Sequence, residues 1–164
     1  MIKLLRVDDR LVHGQVAVSW TAYLGADVLL VANDAAKADP VQQAAFQLAK
    51  PPQAMLSVKS IKGSISVINN PKHEGRAIFV VVSSPKDAFE IARACPGVKS
   101  VCLGGIRQAN GKRQIAPQVF LSEQDMQAAT QLNDLGREVF LQSVPTGKRL
   151  SFSEIREDFF KQQR

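Results

Sequence analysis

The sequence has few of the residues that mark several common functional classes. It contains one tryptophan, one tyrosine, two histidines and two cysteines. Cys95 and Cys102 form neither a CxxC pair nor a metal-binding spacing, so we predict two buried free thiols. With two histidines and no carboxylate at helical spacing from His13, we expect no metal. The single tryptophan and tyrosine leave no platform for stacking the bases of a nucleic acid.

Long hydrophobic runs are also lacking. The clearest apolar run, residues 78–82, is far shorter than the ~18 residues that a membrane span needs. Lys3, Arg6 and Asp8 interrupt the N-terminal apolar segment too early for a signal peptide. These absences predict a cytoplasmic protein. The net charge of +6 is not gathered into a basic block of five or more residues, so it says little about a partner.

The apolar pattern predicts one domain, 1–164, of the α/β class. Strand-type segments alternate with segments of helical periodicity, and continuous apolar strands are typical of a parallel sheet covered on both faces. This alternation predicts a single doubly wound open sheet, mostly parallel, with helices on both faces. The predicted strands span residues 2–7, 28–32, 54–58, 77–82, 98–103 and finally 138–142, the last strand of the chain.

The pattern changes in the C-terminal half of the chain. Asn110-Gly111 lies between two short segments, and this dipeptide is a strong hairpin signal. Residues 113–116 are predicted as the return strand, and residues 119–121 are a further short strand candidate. We therefore expect a short antiparallel hairpin in this region.

The most unusual segment is the connection between the first predicted strand and the first predicted helix, which reads RVDDRLVHGQV over residues 6–16. In open α/β sheets, ligands bind beyond the carboxyl ends of the strands. His13 would precede a helix whose first amides lack intrahelical partners, an arrangement that stabilises an anion. Gly14 would allow close approach of the backbone. The segment from Asp8 to Gly14 is thus predicted to face the ligand-binding crevice at the carboxyl ends of the strands.

The residue types in this segment suit phosphoryl transfer. Arg6 and Arg10 supply planar forks that match phosphate oxygens. Asp8 or Asp9 would bond one imidazole nitrogen and leave the other as the nucleophile. Phosphoryl transfer mainly requires that the phosphoryl group be positioned and its charge stabilised, which such residues provide. We interpret His13 as a phosphoryl acceptor.

Two further pairs of small residues are predicted to line the same crevice, because they follow later strands: Ser83-Ser84 and Gly104-Gly105. Other readings stay open at this point. Arg6 and Asp9 are also compatible with a surface ion pair, and His13 with an ordinary capping residue. The whole chain is compatible with a nucleotide- or RNA-binding Rossmann-like module, although no GxGxxG follows the first strand, or with a hydrolase of small phosphoesters that uses His13.

The segment Arg6-Val-Asp-Asp-Arg10-Leu-Val-His13-Gly-Gln-Val resembles the signature of the IIB component of the mannose/fructose/sorbose family of the sugar phosphotransferase system. The similarity continues through residues 31–34, 39–41, 104–105 and 110–112, and so covers nearly the whole chain. The resemblance implies that His13 accepts a phosphoryl group from phosphohistidine of a IIA protein, at ring atom Nδ1. Arg10 matches the arginine needed for transfer, and Arg6 the second basic residue.

The resemblance also implies the partners and the chemistry of the protein. His13 would pass its phosphoryl group to a sugar held by the membrane components IIC and IID, which makes the chain a protein-phosphohistidine–sugar phosphotransferase. The phosphohistidine is a covalent intermediate, so no cofactor is expected, and no nucleic acid is expected as a partner. A separate IIA protein is implied, because no IIA-like domain is fused here. The chain would be cytoplasmic and peripherally associated with the sugar permease.

Overall fold

The computed structural model describes residues 1–162 as alternating strands and helices. The strands are β1 (Ile2–Asp8), β2 (Val28–Ala32), β3 (Met55–Lys59), β4 (Ile78–Val82), β5 (Ser100–Gly105), β6 (Arg113–Ala116), β7 (Val119–Leu121), β8 (Glu138–Gln142) and β9 (Arg149–Ser151). The helices are α1 (Gly14–Leu24), α2 (Asp34–Lys37), α3 (Pro40–Ala49), α4 (Ile61–Asn69), α5 (Pro85–Ala94), α6 (Glu123–Asp134) and α7 (Phe152–Lys161), with a 3₁₀ turn at Pro71–His73.

The strands of the main sheet have the order β3-β2-β4-β1-β5-β8-β9. All neighbours are parallel except β9, which pairs antiparallel with β8 at the edge. The connection from β1 leads toward β2 on one side, and the connection from β5 leads toward β8 on the other. The chain therefore changes direction between β1 and β5, which is where an open α/β sheet forms its ligand crevice.

Helices cover both faces of this sheet, as predicted. Adjacent residues of β1 point in opposite directions, so Leu5 joins the core beneath α4, α5, α6 and α7, whereas Leu4 joins the core beneath α1, α2 and α3. Trp20 of α1 is fully buried in the second core, on the same face as Cys102 of β5. The doubly wound α/β fold expected from the apolar pattern is confirmed.

Two details of the C-terminal half differ from the prediction. The expectation that residues 138–142 form the last strand is wrong, because β9 follows as a three-residue edge strand. Three residues are too few to show a strand period in the sequence. The hairpin is present, but it consists of β6 and β7. Asn110-Gly111 forms only a turn, in which the Lys112 amide donates to the Ala109 carbonyl at 3.1 Å.

The two cysteines are buried free thiols, as predicted. Burial raises the pKa of each thiol to about 11, so both are expected to remain protonated and unreactive at neutral pH. Among the helices of residues 1–162, none combines the length and the apolar character needed to cross a bilayer.

Candidate functional site

A cavity of about 270 Å³ opens at the carboxyl ends of β1 and β5, where the chain changes direction. Its lining includes all the charged residues and the histidine of the segment predicted from the sequence, together with residues from three later loops. The lining residues are Arg6, Asp8, Asp9, Arg10, His13, Val16, Gly104, Gly105, Ile106, Arg107, Gln118 and Ser143. A larger open cleft of about 1210 Å³ lies between α6, α7 and the β8–β9 edge, away from His13.

His13 is the N-cap residue of α1 and has an extended backbone. Its ring is partly exposed, and Nε2 lies 2.9 Å from Oδ2 of Asp8. An ionised carboxylate only accepts hydrogen bonds, so this contact places the ring proton at Nε2. In the neutral ring, the lone pair is then at Nδ1. Of the two aspartates predicted to orient the ring, Asp8 is the one that does so.

Asp8 itself is held rigidly. Its carboxylate is buried, with Oδ1 accepting the backbone N–H of Arg10 at 3.1 Å. Nη2 of Arg6 lies 3.5 Å from Oδ2. Both oxygens of the carboxylate are thus engaged within the protein, and Asp8 is a support for His13 rather than a direct contact for an anion.

Arg6 is engaged by the protein itself rather than left free for a ligand. The residue is 2% exposed, and its two terminal nitrogens donate to the carbonyls of Gln142 and Ser143, both at 2.9 Å. The guanidinium group also lies 5.2 Å from the ring centroid of Trp20, whose Nε1 donates to the same Ser143 carbonyl. The expectation that the Arg6 fork faces phosphate oxygens is therefore corrected: Arg6 ties Asp8 to the β8–β9 connection.

Gly104 and Gly105 line the cavity, as predicted, and the structure gives the reason for each glycine. A Cβ atom at Gly104 would lie 2.0 Å from Cζ of Arg6. A Cβ atom at Gly105 would lie 3.1 Å from the carboxylate oxygens of Asp8. The two missing side chains leave the space that the supporting Arg6–Asp8 pair occupies.

The prediction that Ser83 and Ser84 line the same crevice is wrong. They follow β4, whereas the β1–α1 connection is drawn toward β5 by the Asp9 amide, which donates to the Gly105 carbonyl at 2.8 Å. Ser83 accepts a hydrogen bond from Asn33, and Ser84 caps α5 through the Asp87 amide. Both serines thus support secondary structure on the other side of β1.

The loop that presents His13 is anchored by apolar side chains. Leu11 and Val12 are each 5% exposed and belong to the core beneath α1. Leu11 has φ of 63°, a left-handed conformation that costs roughly 1–2 kcal/mol outside glycine. Gly14 has φ of 47°, so its lack of a Cβ lowers the cost of the turn into α1.

One cationic side chain of the predicted segment, that of Arg10, remains open to the cavity. Arg10 is exposed, and within residues 1–162 no carboxylate lies within 4.0 Å of its guanidinium group. The first turn of α1 contains no acidic residue, and the His13 side chain does not cap it. The uncapped amides at the start of α1, where His13 is the N-cap, and the exposed Arg10 guanidinium group at the cavity form a combination that favours an anion.

Sequence reasoning missed three polar lining residues, Arg107, Gln118 and Ser143, and the two apolar ones, Val16 and Ile106. Arg107 has a detectable signal, because it follows Gly104-Gly105 at the end of a strand that was correctly predicted. Gln118 lies in the turn of the β6–β7 hairpin, and Ser143 enters the site through contacts with Arg6 and Trp20. No local pattern identifies these two.

The fold and the cavity define an α/β domain that presents a carboxylate-supported histidine among arginines at the carboxyl edge of a parallel sheet. Residues 2–164 match the family of "PTS system sorbose subfamily IIB component". The chain belongs to this family of the sugar phosphotransferase system.

Individual relatives agree with this assignment. The chain is 37% identical to a probable phosphotransferase enzyme IIB component of Streptococcus pyogenes, over 94% of this chain and 99% of the relative. It is 32% identical to the mannose-specific EIIAB component of Escherichia coli, over 94% of this chain but 48% of that longer protein. The crystal structure of the IIBSor domain of the sorbose permease from Klebsiella pneumoniae superposes with a TM-score of 0.88 at 31% identity, covering 96% and 97% of the two chains.

Proposed function

We propose that His13 carries a phosphoryl group at Nδ1, accepting it from the phosphohistidine of a IIA partner and passing it to a sugar. The observation that carries the proposal is the contact between Nε2 of His13 and the buried carboxylate of Asp8. This contact favours the tautomer with its proton at Nε2, which supports Nδ1 as the nucleophile. Arg10 and the first amides of α1 supply the charge stabilisation that this transfer requires.

In the first step, the phosphoryl group moves from the donor phosphohistidine to His13. The lone pair on Nδ1 forms a bond to phosphorus while the P–N bond of the donor phosphohistidine breaks, and that electron pair stays on the donor nitrogen. The ring of His13 keeps its proton at Nε2 and gains positive charge, which the Asp8 carboxylate stabilises. In the second step the sugar hydroxyl oxygen forms a bond to phosphorus and loses its proton to solvent, while the P–Nδ1 bond breaks and its electron pair returns to Nδ1.

We propose a IIA protein and the membrane components IIC and IID as partners, acting at the cytoplasmic face of the membrane. The EIIAB name of the Escherichia coli relative supports a IIA partner, because this chain corresponds to about half of that protein. The partly exposed ring of His13 supports transfer between proteins, since an approaching phosphohistidine reaches it without local unfolding.

The decisive experiment incubates the protein with ³²P-labelled phospho-IIA. We expect stoichiometric, acid-labile and base-stable label in the peptide that contains His13, and none in the peptide that contains His73, the internal control. Adding a membrane fraction that contains IIC and IID, with the sugar, should discharge the label to sugar phosphate. Release of free phosphate in multiple turnovers, or label on another residue, would contradict the proposal.

Arg10→Lys should slow transfer from phospho-IIA without changing the unfolding midpoint. Lysine keeps the charge but loses the bidentate fork, and a hydrogen bond between charged groups contributes about 1.5–3 kcal/mol, which corresponds to roughly 10- to 100-fold in rate. Arg93→Lys is the matched control, because Arg93 is an exposed arginine on α5 that pairs with Glu90. Equal transfer rates for the two variants would remove Arg10 from the mechanism.

A further inference from the structure

A third arginine of the cavity lining, Arg107, is held by an aspartate that has no other evident use in the site. Oδ2 of Asp9 accepts the backbone N–H of Arg107 at 2.9 Å and its Nε at 3.2 Å. Asp9 is in turn fixed by its own amide, which donates to the Gly105 carbonyl at 2.8 Å. Asp9 thus joins the β1–α1 loop to the loop after β5, across the mouth of the cavity.

Asp9 is suited neither to bind a phosphoryl group nor to orient the ring of His13, although its position in the sequence suggests such a role. A carboxylate at the cavity repels a phosphoryl group, and the ring of His13 is already supported by Asp8. Because Asp9 engages only Nε among the side-chain nitrogens of Arg107, the two terminal nitrogens of the fork are not consumed by this pair. The Arg107 side chain is 66% exposed and lines the same cavity as His13 and Arg10.

We propose that Arg107 is the second phosphoryl-binding arginine of the site and that Asp9 is its positioning residue. This inference rests on the proposed phosphorylation of His13. The terminal nitrogens of Arg107 donate to phosphoryl oxygens from the side opposite the His13 loop, while Arg10 acts from within that loop. Arg107 thereby takes the place expected for Arg6, whose terminal nitrogens are bonded to backbone carbonyls.

The geometry also distinguishes Arg107 from Arg93, another exposed arginine that forms an ion pair. A guanidinium group that pairs through one nitrogen keeps a defined direction, so less side-chain entropy is lost when it binds an anion. Arg93 forms an ion pair of similar exposure with Glu90, but it lies on α5 and is absent from the cavity lining. Of the two ion pairs, only Asp9–Arg107 holds a guanidinium group at the cavity that contains His13.

The test compares Arg107→Ala, Asp9→Asn and the double variant, with Arg93→Ala as the matched control. We expect Arg107→Ala to lower the rate constant of transfer from phospho-IIA roughly 10- to 100-fold, the effect of losing a charge-assisted bond. Asp9→Asn should have a smaller effect. In the double variant Asp9→Asn should add nothing, because its effect passes through Arg107.

A second readout separates phosphoryl binding from docking. The ³¹P chemical shift and the hydrolysis rate of isolated phosphorylated protein report contacts to the phosphoryl group with no partner present. Both should change in Arg107→Ala and stay as in the wild type in Arg93→Ala. An unchanged shift and hydrolysis rate would overturn the inference, even if the KM for phospho-IIA rose. Failure of the wild type to become labelled on His13 would instead overturn the proposed function itself.

Discussion

Asp8→Asn should lower the rate of phosphoryl transfer to His13 by about 10⁴-fold, the cost seen when an aspartate that orients a catalytic histidine becomes asparagine. The carboxylate of Asp8 fixes the proton at Nε2 and so keeps the lone pair at Nδ1. An asparagine amide is able to donate to Nε2, which moves the ring proton to Nδ1 and removes the nucleophile. It also lacks the charge that stabilises the phosphorylated ring.

The measurement is the initial rate of ³²P transfer from phospho-IIA, with His13→Ala as the blank. Asp134→Asn, the same chemical change at an exposed position near the end of α6, is the matched control and should transfer at the wild-type rate. Circular dichroism and thermal melting check that the variant is folded. A folded Asp8→Asn protein that transfers within about threefold of the wild type would show that the tautomer is not set by this contact.

The parts of the molecule that can be predicted from the sequence depend on contacts between residues close in the chain. The strand period, the caps and the dense segment from Arg6 to His13 are local, and they suffice for the α/β fold and for the position of His13. The contact between Asp8 and His13 is also local, because a turn in which the Leu11 amide donates to the Asp8 carbonyl brings them together. Local patterns can therefore identify the proposed nucleophile, and they narrow the residue that orients its ring to Asp8 or Asp9.

The parts that cannot be predicted depend on contacts between distant segments. The sequence suggests that Arg6 is a phosphate ligand beside His13, but its partners are the carbonyls of residues 142 and 143. No sequence pattern predicts such a contact. Ser83 and Gly104 both end strands that neighbour β1, yet only the β5 side receives the His13 loop. That choice depends on the bond between the Asp9 amide and the Gly105 carbonyl.

Gly104→Ala should destabilise the protein by about 3 kcal/mol or more, since it overpacks a buried site and disturbs a buried charge. The new Cβ atom would lie 2.0 Å from Cζ of Arg6. The end of an arginine side chain usually moves aside easily, but here Arg6 is 2% exposed and bonded to two carbonyls. Displacing it removes one hydrogen-bond donor from each of those carbonyls and the cation from beside the Asp8 carboxylate, which costs more than the steric contact alone.

Thermal unfolding measures this effect, and for a chain of this size 3 kcal/mol corresponds to a fall of roughly 6–12 °C in Tm. Gly97→Ala is the control, because no atom lies within 4 Å of its added Cβ and its φ is not left-handed. Transfer from phospho-IIA should fall as well, since Asp8 loses one of its supports. Equal unfolding midpoints for the two glycine variants would mean that Arg6 is not rigidly held, and its assignment as the support that connects Asp8 to the β8–β9 connection would then be wrong.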